Sequence, residues 1–312
     1  MPRKAAENAE STSVARWSER DGRSWIAFRV SRRELVAFEG VRCCGKIKPT
    51  WRMTENTYTF GDNDQASLRL QRLAELYEPE TRQLLQHSGI CQPRLAVDLG
   101  CGPGWSTKLV RAELGPLRTV GLDSSERYIA EARHRNGSDL EFEVHDVARA
   151  PFPVLSPTLL FCRFLLTHLS PLAQVLAGWA SIAAPGATLL VHETETLETE
   201  HYTLRHYYDL VGRLQEHYGQ TLLVGAVLTN SLRENGWRVI ESNRRILEKK
   251  AGKMAALHLA NLRTWRNDEF ARSAFDPSEI DELEVSLARI ADGLENGGVV
   301  LNAARQIIAQ RP

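Results

Sequence analysis

The 312-residue chain has no apolar run approaching the roughly 20 residues that a membrane-spanning helix requires. Its first residues, MPRKAAENAESTS, lack the apolar core of a secretory signal. Its formal net charge is zero, so no overall field favours a nucleic acid or an anionic membrane, and no basic groove interleaved with aromatic residues is visible. These deficits predict a cytoplasmic protein without a nucleic-acid or membrane partner.

Cysteine is scarce as well. The chain has five cysteines, an odd number, and no pair has the two-residue gap of a zinc knuckle. We therefore expect reduced thiols and no metal site. Cys101, which lies in a glycine-rich segment, is expected to pack as a small apolar residue rather than to act as a nucleophile.

The charge is unevenly distributed along the chain. Residues 1–52 contain 12 Lys/Arg and 6 Asp/Glu, a net charge of +6 that the remainder balances. The first residues are small, polar and charged, a composition that favours disorder. We predict a poorly ordered or accessory leader over residues 1–52, with a strand and a short helix in residues 24–41. The functional domain is predicted over residues 53–312.

Strand-like and helix-like segments alternate from about residue 65. The segments RLAVDL, RTVGLD, LEFEVHD, PTLLFCRF and ATLLVHE have the character of strands, and GWSTKLVRAEL, SERYIAEARHR and PLAQVLAGWASIA that of helices. This alternation predicts an α/β fold, a doubly wound parallel sheet with helices on both faces. Before it, helical spacing of leucines predicts a helix that Pro79 interrupts, followed by a second helix over residues 80–88.

The regular alternation of strands and helices ends after Glu198. We predict helical insertions at about residues 199–220 and 250–292. The second insertion is expected to contain helices at roughly 253–272 and 277–292, and GGVVLNAARQIIAQ then forms a closing strand. The first insertion is rich in His and Tyr. Four of its side chains are candidates for a lid over a ligand, a solvated helix face or a homodimer contact: Tyr202, His206, Tyr207 and Tyr208.

Three glycines, Gly100, Gly102 and Gly104, follow a strand and open a helix. Glycine tolerates positive φ and lets a ligand approach the backbone, while a helix start offers unpaired N–H groups to an anion. In an open α/β sheet, ligands bind beyond the carboxyl ends of the strands. The turn therefore predicts a binding site, although it does not choose the ligand.

Acidic residues near the turn indicate which ligand it binds. Gly104 comes only two residues after the second glycine, one fewer than in the dinucleotide pattern. Asp98, before the turn, is suited to balancing a cationic ligand. Asp123 closes the next strand, where an acid can hold both ribose hydroxyls, and Asp146 with the Val147 backbone suits an adenine. A ligand with carboxylate, ammonium, ribose, adenine and sulfonium groups is S-adenosylmethionine.

At this point the sequence resembles a known family. VDLGCGPG, GLDSS and HDV are similar to the nucleoside-binding motifs of class I S-adenosylmethionine-dependent methyltransferases, and FCRFLLTHL resembles their bacterial small-molecule branch. The resemblance covers about residues 55–246, beginning with a segment similar to that branch's N-terminal cap, YTFGDNDQASLRLQRL. It departs at Pro185-Gly186-Ala187, where the family often has PGG. It implies a seven-stranded, mostly parallel sheet with an antiparallel last strand and a helical cap or lid.

Position and resemblance together give a set of candidate cofactor-binding residues. They are Tyr58, Asp98, Gly100, Cys101, Gly102, Pro103, Gly104, Asp123, Ser124, Asp146, Val147 and Arg163. Within this set, the resemblance implies that Tyr58 closes over the cofactor. Arg163 is expected to contact either the methionine end of the cofactor or a carboxylate of the acceptor.

Methyl transfer needs a base only where the acceptor atom is protonated at neutral pH. His168 and Glu193 follow the fourth and fifth strands and are the candidate catalytic residues, although each is equally suited to a structural hydrogen bond. The segment FCRF stands where amino-methylating enzymes have an Asn/Asp-Pro-Pro-Tyr/Phe sequence, which favours a small organic acceptor methylated at oxygen or carbon. Two alternatives stay open: a non-catalytic S-adenosylmethionine-binding protein that acts through a partner, and an NAD-dependent oxidoreductase.

Overall fold

The computed structural model describes residues 16–20, 23–31, 34–40 and 64–312. The chain divides into two compact units, Met1–Glu55 and Asn56–Pro312.

The first unit contains a three-stranded antiparallel sheet with strands in chain order. Its strands are β1 (Arg16–Arg20), β2 (Arg23–Ser31) and β3 (Glu34–Gly40). The expected short helix in residues 24–41 is therefore wrong. The backbone of β3 pairs with β2 from Ser31↔Glu34 to Ser24↔Gly40, which supplies the hydrogen bonds that a helix would otherwise have formed internally.

The second unit is built on a seven-stranded sheet. Its strands are β4 (Leu95–Leu99), β5 (Arg118–Asp123), β6 (Glu141–Val144), β7 (Leu159–Arg163), β8 (Thr188–Glu198), β9 (Arg238–Lys250) and β10 (Val299–Gln310). Their order is β6-β5-β4-β7-β8-β10-β9. Strands β4 to β8 pair in parallel, whereas β10 lies antiparallel between β8 and β9. This confirms the predicted doubly wound, mostly parallel sheet and its antiparallel last strand.

Helices cover both faces of the sheet and add a cap. They are α1 (Asp64–His87), α2 (Trp105–Leu114), α3 (Glu126–Asn136), α4 (Leu172–Ile182), α5 (Tyr202–His217), α6 (Gly225–Glu234), α7 (Ala251–Trp265), α8 (Glu269–Ala274) and α9 (Pro277–Ala291). None of these described helices combines the length and apolar character needed to cross a bilayer.

The core lies on both sides of the sheet because successive residues of a strand point to opposite faces. Val97 and Leu99 of β4 pack on one side in a cluster that includes Trp179 of α4 and Leu228 of α6. Ala96 packs on the other side in a cluster shared with α1 and α2. Burying each large apolar side chain contributes about 1.5–3 kcal/mol to the stability of the fold. Packing on both faces therefore holds the strands, and with them the strand ends, in place.

Pro79 does not end the first helix as expected, because α1 continues through it to His87. Proline removes one backbone donor and normally costs about 3 kcal/mol inside a helix. Side chains satisfy nearby carbonyls: Lys249 Nζ donates to the Leu76 oxygen at 2.7 Å, and Thr81 Oγ1 donates to the Tyr77 oxygen at 2.8 Å. Side chains on both sides of the proline, among them Tyr77 and Leu84, are buried in the fold, so tertiary packing outweighs the local preference.

Helices α5, α7, α8 and α9 form a separate apolar cluster around Tyr207, Leu214, Trp265 and Leu287, which makes them a cap on the sheet. The single helix expected over residues 253–272 is two helices, α7 and α8. Asp268 separates them because its carboxylate accepts a hydrogen bond from the Ala271 amide and caps the new helix.

Candidate functional site

A cavity of about 470 Å³ lies where the carboxyl ends of the parallel strands meet the cap. The strand ends contribute the glycine turn, Asp123, Asp146, Arg163 and Glu193 to its wall. Helices α1, α5 and α7 supply the opposite wall. The sheet topology thus brings together side chains that are far apart along the chain.

The glycine turn follows β4 and leads into α2. Gly100, Gly102 and Gly104 have φ angles of +67°, +50° and +85°, in the left-handed region that favours glycine. A Cβ on Gly100 would lie 2.6 Å from Cδ1 of Leu165, so the loop after β7 packs directly against the turn. Gly102 and its neighbours line the cavity with backbone, as expected for a close ligand approach.

Asp123 connects the end of β5 to this turn. Its Oδ2 accepts a hydrogen bond from the Gly102 amide at 2.8 Å, and its Oδ1 accepts one from the Ser125 amide at 2.9 Å. A carboxylate has about four acceptor positions, so it can hold a backbone and face a ligand at once. Asp123 and Ser124 both line the cavity, side by side with the glycine turn.

Asp98 lies beneath the turn rather than on the cavity wall. It is 1% exposed, and its Oδ2 accepts hydrogen bonds from Ser106 Oγ at 2.7 Å and Thr107 Oγ1 at 2.6 Å. Burial raises the pKa of Asp98 to about 6, while these hydroxyls and the Arg163 charge oppose the rise. Asp98 therefore anchors the start of α2, and Arg163, which does line the cavity, is its nearby cation.

The loop after β6 forms another part of the wall, with Asp146 and Val147. Asp146 Oδ1 accepts from the Ala148 amide at 2.9 Å, and Asp146 Oδ2 lies 3.0 Å from Nε of Arg149. The Val147 oxygen accepts from Trp179 Nε1 at 2.8 Å. These bonds fix the conformation of the loop beside Asp123.

The remaining expected cofactor contacts divide into three groups. Cys101 and Pro103 line the cavity within the glycine turn. Gly104 lies at the start of α2, against Asn136 and Phe142. Tyr58 lies outside the described residues.

Glu193, on β8, is 1% exposed and lines the cavity. Its Oε1 accepts hydrogen bonds from the amides of Leu165 at 2.7 Å and Leu166 at 2.8 Å. Its Oε2 has no hydrogen-bond partner within residues 64–312. Burial raises the pKa of Glu193 to about 7, although the two amides oppose the rise. One oxygen is thus held in place, and the raised pKa makes the carboxyl group a candidate base near neutral pH.

His168 closes the short 3₁₀ turn Leu166–His168 and also lines the cavity. Burial, assisted by the charge of Arg69, lowers the pKa of His168 to about 4. The ring is therefore neutral at physiological pH and is a weaker base than Glu193.

The His/Tyr residues of α5 point in two directions. Tyr207 and Tyr208 line the cavity, whereas Tyr202 is 71% exposed and stacks on His206. His206 Nε2 in turn lies 3.1 Å from Oε1 of Glu279 on α9. Only the first pair is positioned to touch a ligand of this cavity, among the four predicted candidates.

Several polar residues of the cap wall were not predicted from the sequence. They are Arg69 on α1, Gln215 on α5, His258 and Asn261 on α7, and Asn302 on β10. A signal existed for some of them. Arg69 recurs at helical spacing with Ala66 and Leu73, so it is a charge on an otherwise apolar stripe. His258 and Asn261 interrupt the stripe of α7 in the same way.

The packing behind the glycine turn gives a stability prediction. A Cβ on Gly121 would lie 2.7 Å from Cδ1 of Phe142 and 2.9 Å from Sγ of Cys101. We expect Gly121→Ala to lower the free energy of unfolding by about 1–3 kcal/mol through overpacking. Gly178→Ala is the control, since nothing lies within 4 Å of its Cβ in the middle of α4. Denaturant unfolding should show Gly178→Ala to be stabilising by about 0.5–1 kcal/mol; equal effects of the two would contradict the packing described.

Comparison with known proteins adds to this geometry. Residues 96–186 match the family model described as a methyltransferase domain. The trans-aconitate 2-methyltransferase of Methylobacterium nodulans is 39% identical over 121 residues, which are 39% of this chain and 46% of that protein. The chain thus spans about half the length of the curated relatives that it matches.

Two solved structures share the fold at low identity. A protein of Bacillus halodurans C-125 has a TM-score of 0.52 and 16% identity, covering 75% of this chain and 99% of that one. Phosphoethanolamine N-methyltransferase 2 of Haemonchus contortus, in complex with S-adenosyl-L-methionine, has a TM-score of 0.50 and 15% identity, covering 89% of this chain and 63% of that one. The resemblance establishes a Rossmann-like architecture for the second unit.

Proposed function

We propose that this chain is a class I S-adenosylmethionine-dependent methyltransferase, which transfers a methyl group from S-adenosylmethionine to a small organic acceptor. One observation carries the proposal. The glycine turn, Asp123 and Glu193 all line a single cavity, and one oxygen of Glu193 has no partner among the described residues. A ligand site and a candidate base are therefore within reach of one bound molecule.

The residues present fit S-adenosylmethionine. The cavity of about 470 Å³ has the size of a small-molecule site, roughly 300–1,000 Å³. In the proposed arrangement, Asp123 accepts from the ribose hydroxyls, while Asp146 and the Val147 backbone contact the adenine. The backbone of the glycine turn and Arg163 hold the methionine end. Tyr58 remains a predicted contact.

When bound, the cofactor supplies an activated methyl group whose departure leaves a neutral thioether. The protein then has to hold an acceptor atom about 3 Å from the methyl carbon and to exclude water. Glu193 Oε2 takes the proton of a hydroxyl or an acidic carbon, which converts that atom into the nucleophile. His168, neutral and buried, orients the acceptor beside it.

The proposed acceptor is a small molecule methylated at oxygen or carbon. Trans-aconitate is the acceptor named for the bacterial relatives, and their matched segments cover less than half of this chain. The methyltransferase domain is proposed to span residues 53–312, with residues 1–52 as an accessory leader. The cytoplasmic location stays a prediction, and a homodimer contact stays one of the alternatives for the exposed residues of α5.

Cofactor binding gives the direct test of this proposal. S-adenosylmethionine and S-adenosylhomocysteine should each raise the melting temperature, because a ligand present at about 100 times its Kd stabilises the native state by about 2.7 kcal/mol. NAD should have no effect. Stabilisation by NAD alone would identify an oxidoreductase instead.

Turnover is measured separately, with methyl-labelled cofactor and a small-metabolite extract. Transfer of label to a metabolite supports the enzyme. Tight cofactor binding without transfer to any member of a broad metabolite panel would favour the non-catalytic alternative.

A further inference from the structure

The cap wall of the cavity ends in a group of buried polar side chains. We call them the cap polar cluster: Arg69, Tyr207, Gln215, His258 and Asn261. They are between 1% and 7% exposed. They come from three helices, α1, α5 and α7, so they converge only in the folded chain.

Two atoms of this cluster have no partner among the described residues. Within residues 64–312, Gln215 Oε1 and His258 Nδ1 are buried without a hydrogen bond, whereas the Tyr207 hydroxyl lies within reach of Asn261 and Trp265. A buried polar group left unsatisfied costs about 1–3 kcal/mol. These two atoms belong to residues of one cavity wall, so we expect a polar ligand to satisfy them.

The donors of the cluster define the chemistry of that ligand. His258 Nε2 lies 2.9 Å from the Tyr208 hydroxyl, and burial lowers the pKa of His258 to about 3, so the ring is neutral. We assign Tyr208 as the donor to Nε2, which leaves the ring proton on Nδ1 as a donor without a partner among the described residues. The Tyr207 hydroxyl is a second donor, and it stacks beside the same imidazole, with ring centroids 4.3 Å apart.

Arg69 adds a positive charge to these donors. Its charge depresses the pKa of His168, and it lies close enough to Tyr207 to lower the pKa of that hydroxyl too, against the larger effect of burial. A guanidinium in a low-dielectric site binds a carboxylate well, since its donors match the two oxygens. The cap polar cluster is thus electrostatically suited to one anionic group.

The walls around this cluster are apolar. Leu70, Leu73, Val211, Met254 and Leu257 line the cavity from the same three helices. Within the described residues, the cavity is lined by two cationic arginines, Arg69 and Arg163. Arg163 lies near Asp98 at the cofactor end, which leaves Arg69 as the cation of the cap wall.

We propose that the acceptor is a monoanion with an apolar body, whose single carboxylate is bound by Arg69, Tyr207 and His258 and whose proton-bearing methylation site faces Glu193. The carboxylate is an anchor and not the methylated group. This inference rests on the proposed function and deepens it. It separates the chain from its relatives, because trans-aconitate has three carboxylates and would place charge against the apolar walls.

The test measures acceptor binding by calorimetry on the full chain saturated with S-adenosylhomocysteine. The probes are 4-hydroxybenzoate, 4-hydroxyphenylacetate and 4-hydroxycinnamate, each with its primary amide, together with trans-aconitate. At least one acid should bind about tenfold or more tightly than its own amide, since a charge-assisted pair is lost in the amide, and about tenfold or more tightly than trans-aconitate.

Substitutions locate the source of this preference. Arg69→Met should reduce the ratio of the acid's affinity to the amide's affinity to about one. Arg69→Lys should restore part of this ratio, because lysine has the positive charge but not the paired donors of the guanidinium. Arg72→Met is the matched control one turn along α1, at an exposed arginine that does not line the cavity, and should change nothing. Tyr207→Phe, which removes one hydroxyl from the cap polar cluster, should weaken binding of the acid about 3–10-fold.

The outcomes separate this inference from the proposed function. Failure of S-adenosylhomocysteine to bind would remove the proposed function itself. Three outcomes would overturn the monoanion proposal alone, provided that S-adenosylhomocysteine still binds. They are equal affinities for acid and amide, tightest binding of trans-aconitate, and no binding of any acid. An Arg69→Met chain that keeps its cofactor affinity is folded, and an unchanged acid preference in it would also be decisive against the proposal.

Discussion

Replacing Glu193 by glutamine should lower kcat by about 10²–10⁴-fold, the range that general base catalysis contributes. Glutamine keeps an oxygen for the Leu165 and Leu166 amides, so the loop after β7 stays in place. It replaces the oxygen that has no partner among the described residues by an amide that cannot accept a proton. The substitution therefore removes the base and leaves the scaffold.

The pH dependence supplies a readout that a structural defect would not change. Glu193 accepts a proton only when it is ionised, and burial raises its pKa to about 7, so kcat should rise with pH through neutrality and then level off. With an ordinary glutamate pKa near 4.3, the profile would already be flat at pH 6. The Glu193→Gln variant should not show this rise of kcat with pH.

Glu195→Gln is the matched control on the same strand. Glu195 lies outside the cavity wall, and its carboxylate pairs with Arg244 and Arg305. The control should retain most of the activity. Full activity of Glu193→Gln, or an unchanged pH profile, would show that the acceptor needs no base at this position, as a carboxylate acceptor would not.

The second large effect is expected at Asp123. Asp123→Ala should weaken S-adenosylhomocysteine binding by about 10²–10⁴-fold, because two charge-assisted hydrogen bonds to the ribose are lost at about 1.5–3 kcal/mol each. Asp123 also accepts from the Gly102 and Ser125 amides, so its removal loosens the glycine turn and adds to the loss. Titration calorimetry measures the change.

Two further chains separate binding from folding. Asp139→Ala removes an exposed acid after α3 and should leave cofactor affinity unchanged. Asp123→Asn keeps the shape and one carbonyl oxygen, so its melting temperature should stay close to that of the natural chain while its affinity falls. If Asp123→Ala binds the nucleoside normally, the ribose lies elsewhere.

The sheet and the cofactor end of the site could be predicted from the sequence. Short apolar strands such as LAVDL, followed by Gly100 to Gly104, are local patterns, and a parallel sheet necessarily brings its strand ends to one edge. The convergence of Asp123 and Asp146 on one cavity can therefore be predicted without knowing how the side chains pack. Asp98 differs, because its position beneath the turn depends on Ser106 and Thr107 of the next helix.

The cap could not be predicted in the same detail. Arg69, His258 and Asn261 come together only through packing between α1 and α7, which lie far apart in the chain. Helix periodicity identifies each as polar on an apolar stripe, but it does not say which cavity the stripe faces. The part of α1 before Pro79 is likewise contacted from a distant strand, because Lys249 of β9 donates to the Leu76 oxygen.

A crystal structure of the chain with S-adenosylhomocysteine would show whether Asp123 holds the ribose. We expect the ribose hydroxyls within about 2.5–3.2 Å of the Asp123 carboxylate, the adenine against Asp146 and Val147, and the sulfur facing Glu193. A nucleoside bound elsewhere, with Asp123 turned away from its sugar, would contradict this arrangement.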